Sequence, residues 1–204
     1  MLFEEVELES ESIKLIPLKK EYSEELVIAS SDGKLWELWF TSVPNQKTID
    51  DYIAHALIEK DKGTALPFAV LDKKTNKIIG STRFCNADLV NKRLEIGYTW
   101  YSKSYQRSSI NTECKKLLLS HAFETLNAIA VEFRTHWHNQ ESREAIARLG
   151  AKQDGVLRNH QKINGVYRDT VVFSILDSEW ASVQINLAYK LAKHRYKKIN
   201  QDKK

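Results

Sequence analysis

Between Leu66 and Tyr101 the chain sets three β-type runs in succession, "LPFAVLD", "KIIGSTRFC" and "RLEIGYTWY", separated only by the polar turns "KKTNK" and "NADLVNK". Connections this short join antiparallel neighbours, because a parallel return needs a crossover of about a dozen residues. The middle of the protein is therefore an antiparallel meander. Before it stands the strand "SIKLIPL" (Ser12–Leu18), which its proline places at a sheet edge. Helical stretches follow over Lys20–Ser30 and Lys34–Phe40. A third starts at Thr48, where Asp51 completes the form of a capping box and Ile49, Ile53, Ala56 and Leu57 recur at helical spacing. After the meander come a helix over Asn111–Leu126, the strand "IAVEFRTH", and the helix "NQESREAIARLG" closed by Gly150. A hairpin turning at Asn164-Gly165 ends the series. The order reads as α+β: a mixed, mostly antiparallel sheet with helices on its faces.

With 204 residues, 42% of them hydrophobic and 28% charged, the chain suits one soluble domain with a real core. No apolar run approaches the ~20 residues that span a bilayer, and "MLFEEVELES" lacks the basic and apolar parts of a secretory signal. Cys85 and Cys114 make neither a ligand spacing nor a disulfide framework. These features point to a cytoplasmic protein without a membrane segment. The net charge of +4 is local, since Lys190, Lys193, Arg195, Lys197, Lys198, Lys203 and Lys204 stand near the end against Asp202 alone. The rest is slightly acidic. We therefore divide the chain into a body over 1–180 and a basic C-terminal helix or tail over 181–204, with Val183, Leu187 and Leu191 along one face. A nucleic-acid surface would need a basic patch on the body, so only the tail could dock on RNA, a ribosome or an acidic partner. Packing on the body or forming a homodimer are the other uses of such a helix.

One stretch, "YQRSSINTECKKLLL" (Tyr105–Leu119), is a tight turn feeding a helix, without glycine. Its Gln106-Arg107-Ser108-Ser109-Ile110-Asn111 is similar to the pyrophosphate loop of the Gcn5-related N-acetyltransferase (GNAT) superfamily. Gln106 holds the first place of that pattern, and Ser109 and Asn111 hold the small-residue places. "GSTRF", "LEIGYTWY", "INTECKKLLLSHAFETL", "NQESREAIARLGA", "GVLRNH" and "GVYRDTVVFSIL" resemble, in order, successive blocks of its RimJ/RimL-like branch, the ribosomal-protein-alanine N-acetyltransferase type. The resemblance covers about Ser12 to Trp180. It implies a GNAT fold: a sheet of about seven strands splayed between strands 4 and 5, helices on both faces, and here an extra C-terminal helix. It also implies acetyl-CoA as cosubstrate and no metal.

Carried onto this sequence, the resemblance assigns the cofactor's pyrophosphate to the loop and helix start, Gln106, Arg107, Ser108, Ser109, Ile110, Asn111 and Thr112. Main-chain N–H groups and the positive helix end would hold it, and near-helical dihedrals would make glycine dispensable. Main chain of Thr99, Trp100 and Tyr101 would pair with the pantetheine arm, one N–H steadying the developing oxyanion. Asn139 would bond the cofactor, or serve only as an N-cap. Glu95 is the candidate base for an amine that must lose its proton before attack, or else pairs with Arg83 across the strands. Ser142, three residues beyond Asn139, is the candidate proton donor to the leaving thiolate. Trp36, Trp39, Phe40 and Phe84 are candidate walls for the acceptor; aromatic clusters of this kind are as often core. His121 reads as a packed histidine on an apolar helix, and His136, His138 and His160 complete no ligand spacing. The reading is an N-acetyltransferase moving acetyl to a primary amine, a protein N-terminus or a small amine, by direct attack in a ternary complex. The alternative is a non-catalytic acyl-CoA-binding sensor or interaction module.

Overall fold

The computed structural model describes residues 3–163 and 165–201, with backbone alone over 197–201. The strands are β1 (Leu8–Glu9), β2 (Ile13–Pro17), β3 (Leu66–Asp72), β4 (Lys77–Asp88), β5 (Arg93–Tyr101), β6 (Ala130–His136), β7 (Lys152–Ile163) and β8 (Val166–Leu176). They form one open sheet in the order β1-β2-β3-β4-β5-β6-β8-β7. Every neighbouring pair is antiparallel except β5 and β6. Eight strands thus stand where about seven were expected; the addition is the two-residue β1. It also corrects the placing of "SIKLIPL", since β1 pairs with β2 at Leu8↔Leu15 and Glu9↔Lys14. Pairing on that side stops before Pro17, which has no N–H to offer.

The helices are α1 (Ser23–Ser31) and α2 (Ile49–Asp61), then α3 (Ile110–Ser120), α4 (Gln140–Leu149) and α5 (Asp177–Gln201). On β3 successive side chains go to opposite faces. Phe68 and Val70 enter the core that holds Leu118 of α3, Ile146 of α4 and Leu187 of α5, whereas Ala69 packs with Leu26 of α1 and Ile53 of α2. Both faces are covered, which explains why "LPFAV" is apolar without alternation.

Two local expectations change. Over Lys34–Phe40 there is only a short 3-10 turn, Leu35–Glu37, because Gly33 and Lys34 both take positive φ (89° and 46°) and Leu38 is extended. At α2 no capping box forms: the Thr48 hydroxyl accepts from the Asn45 N–H at 3.0 Å, and the Asn45 carbonyl accepts from Thr48 and Ile49. α3 ends at Ser120 and a π-type turn, His121–Thr125, carries the chain on to Leu126. Gly150 closes α4 with φ of 109°, as an αL cap should. In the β7–β8 hairpin Ile163 pairs with Val166 and Gly165 has φ of 83°, while Asn164 lies outside the described residues. No described helix is long and apolar enough to cross a membrane.

Candidate active site

β5 and β6 pair over Arg93↔Ala130, Leu94↔Val131 and Glu95↔Glu132 and no further. From Ile96 onward the β5 edge facing β6 has no strand partner among the described residues. This is the expected splay, its strand numbers raised by one through β1. A cleft of about 1290 Å³ lies along it. β5 also carries a bulge: Ser81 faces Trp100 and Arg83 faces Gly97, so three steps on β5 oppose two on β4. Tyr98 absorbs the mismatch at φ of 51°, a conformation uncommon for an aromatic residue. Trp100 and Tyr101 bury their side chains on opposite faces of the sheet. Trp100 Nε1 donates to Tyr52 Oη at 3.3 Å, and Tyr101 Oη donates to Asn111 Oδ1 at 3.3 Å. What this edge can offer a ligand is therefore main chain.

The loop enters α3 with one left-handed residue, Arg107 at φ of 58°. That differs from the near-helical turn expected, and places a residue with a Cβ where glycine costs least. Its two serines turn inward. Ser108 Oγ accepts from Ile110 N–H at 3.3 Å, and Ser109 Oγ donates to Glu113 Oε1 at 2.9 Å. Glu113 Oε2 in turn accepts from Ser10 Oγ (2.7 Å) and Ser12 N–H (3.2 Å), fastening the loop to the turn between β1 and β2. Gln106 Nε2 donates to the Tyr101 carbonyl at 3.1 Å. Among the described residues, the N–H groups of Arg107, Ser108, Ser109, Asn111 and Thr112 find no protein acceptor. A helix start with so many unpaired donors suits an anion. Gln106, Arg107, Ser108, Asn111 and Thr112 line the cleft; Ser109 and Ile110 lie behind them.

On the opposite wall Asn139 caps α4, its Oδ1 accepting from Ser142 N–H at 3.1 Å, and both residues line the cleft. Cap and cleft position coexist. Glu95 reaches the cleft through a side-chain network and does not pair with Arg83. Asn86 Nδ2 donates to its Oε2 at 2.8 Å, and Arg134 Nε stands 3.6 Å away while also bridging to Glu132. Burial pushes the Glu95 carboxyl above the usual range, against the Asn86 hydrogen bond and the Arg134 charge. Gly97 leaves room for it: a Cβ there would meet Glu95 Oε1 at 3.0 Å and Cys85 Sγ at 3.1 Å.

The proposed acceptor walls separate. Phe40 lines the cleft. Trp39 packs edge-on to His136 at 4.8 Å but remains largely exposed outside it, and Trp36 is half-buried away from it. Phe84 has no exposure at all and is core, packed between Phe68 and Phe3. His121 stacks on Phe84 at 6.0 Å, its pKa lowered by burial.

Sequence reasoning passed over Lys115, Arg168 and the bulge at Tyr98. Lys115 is buried in the cleft wall, donates from Nζ to Thr99 Oγ1 at 2.5 Å, and is pushed down to about 8 by burial. Its signal was present: a lysine one residue after Cys114, on the buried side of α3. Among the described residues Arg168 Nε is buried without a partner, close enough for Glu95 to favour its charge. Nothing in the sequence marks either arginine or bulge, because both depend on strand register. Among the described residues no three His, Cys, Asp or Glu side chains gather as a metal site.

Comparison with known proteins agrees with this geometry. An acetyltransferase (GNAT) domain model matches residues 12–152. The YdaF protein of Bacillus subtilis (strain 168) is 33% identical over 103 residues, 50% of this chain, and the match spans only 56% of YdaF itself. The ribosomal-protein-serine acetyltransferase of Escherichia coli (strain K12) is 23% identical over 175 residues, 83% of this chain and 96% of that protein. A crystal structure of a GCN5-related N-acetyltransferase from Brucella melitensis superposes with a TM-score of 0.82 at 27% identity, covering 93% of this chain and 86% of that one. Eight strands in this order, the splay, the donor-rich helix start and the matched domain together mean that the chain belongs to the GNAT acetyltransferase family.

Proposed function

We infer that the protein transfers an acetyl group from acetyl-CoA to a primary amine by direct attack in a ternary complex. The observation that carries this reading is one cleft joining unpaired main-chain donors at the α3 start, the open β5 edge and a buried carboxylate of raised pKa. The α3 start suits the pyrophosphate, and the edge from Thr99 to Tyr101 suits the amides of the pantetheine arm. Asn139 keeps its amide nitrogen for the cofactor while its oxygen caps α4. Glu95, directly or through water, takes the proton of the incoming ammonium. The amine nitrogen then attacks the thioester carbonyl, gives its second excess proton to water as the neutral amide forms, and the C–S bond breaks. The departing thiolate takes a proton from Ser142, which solvent restores. Arg134, Arg168, His136 and Phe40 wall the acceptor end. Relatives named for ribosomal proteins favour a protein N-terminus as acceptor over a free small amine.

Thiol release from acetyl-CoA, measured across N-terminal peptides and small amines, tests the reading. Turnover is expected with at least one peptide. Tight coenzyme binding with silence across the panel would mean a sensor instead.

A further inference from the structure

The basic C-terminal helix reaches the same cleft. α5 buries Val183 and Leu187 in the core shared with α3 and α4. Within the next two turns Lys190, Lys193 and His194 join Arg148 of α4 in lining the cleft's outer end. Leu187, Lys190 and His194 fall at spacings of three and four, one stripe of the helix. The acidic residues nearby are already faced: Glu144 by Arg148 at 3.6 Å and Glu141 by Arg107 at 3.7 Å. Lys190 Nζ donates to the Arg148 carbonyl, and among the described residues Lys193 and His194 pair with no carboxylate. This end therefore carries surplus positive charge, two turns of α4 or about 10 Å from the loop that faces Glu141.

Coenzyme A is anionic at two separate places, its pyrophosphate and the 3′-phosphate of its ribose. The donors at the α3 start answer the first and leave the second without a partner. We propose that Lys190 and Lys193, with Arg148 and His194 beside them, form the subsite for the 3′-phosphate. The proposal rests on the acetyl-CoA reading above. Two lysines suit this place, since each is a mobile point charge able to follow a phosphate at the solvent edge. On this reading the basic stretch is a coenzyme clamp, and its charge is not a nucleic-acid surface.

Calorimetric titration of the full chain with coenzyme A and with 3′-dephospho-coenzyme A tests it. The unaltered protein is expected to prefer coenzyme A about tenfold, the effect of one charge-assisted hydrogen bond. In the Lys190→Ala/Lys193→Ala variant, with its fold checked by circular dichroism, that preference disappears while the dephospho ligand binds as before. Equal affinity of the unaltered protein for both ligands overturns the subsite, as does a preference that survives in the double variant. Heat with neither ligand would overturn the acetyl-CoA reading itself, and the subsite with it.

Discussion

At Glu95 two demands conflict. A base must hold its charge, yet this carboxylate is buried and its pKa raised by that burial, with Asn86 and Arg134 only partly offsetting the cost. The folded protein therefore binds the Glu95 proton more tightly than the unfolded chain does. Stability from this group is full below the unfolded value, about 4.3, and is lost as pH rises through the elevated folded one. Glu95→Gln should accordingly raise the thermal midpoint at neutral pH, with the gain fading in acid. The same change should lower kcat by roughly 10²–10⁴-fold, and unaltered activity in a thiol-release assay would remove Glu95 from the mechanism. For the intact enzyme, rate should fall as pH drops through the raised value. Lys115 shows the opposite sign. Its pKa is pushed down to about 8, so the unfolded chain binds more protons between there and the ordinary lysine value. Lys115→Met should stabilise the protein by roughly 3 kcal/mol at neutral pH. That gain should shrink as pH rises above 8, which denaturant melts at several pH values would register.

The element on which the proposed cofactor binding turns is the start of α3. Its serine hydroxyls are committed to the protein, Ser109 to Glu113 and Ser108 to the loop itself, so the donors left for an anion are main-chain N–H groups. A carboxylate placed among them could cap the helix but would repel both Glu113 and a diphosphate. Ser109→Asp should weaken acetyl-CoA binding by more than about tenfold with little loss of helix, read by calorimetry and circular dichroism. That this stretch turns into a helix was legible from Gln106 to Leu119. That Arg107 would take a left-handed φ of 58° was not, because the bend follows from where α3 must lie, its Glu113 held by Ser10 and Ser12. The bulge at Tyr98 has the same origin in the pairing of β4 with β5. The aromatic run from Trp36 to Phe40 looked helical by periodicity, yet Gly33 and Lys34 break the chain into a turn before it.

Across the whole molecule α5 joins the core to one end of the cleft. Leu187 has no exposure and packs with residues of α3 and α4, and Val183 lies against Gly150, where an added Cβ would meet it at 3.1 Å. Leu187→Ala should cost about 2–5 kcal/mol, visible as a lower denaturation midpoint, and should loosen the helix that carries Lys190 and Lys193. The loop as a candidate anion site and Glu95 as a candidate base came with the family resemblance; the local sequence itself supplied the meander, the strands and helices that follow it and the Gly150 cap. Each rests on periodicity, turn chemistry or a contiguous motif, all of which operate over a few neighbouring residues. The folded structure alone decided that Phe84 is core, that Glu95 pairs with Asn86 and Arg134 in place of Arg83, that Lys115 is buried at the splay and that basic residues of a distant helix line the cleft. These follow from which strands become neighbours and in what register. No local stretch of sequence encodes that choice, because it is made by the burial of both sheet faces at once.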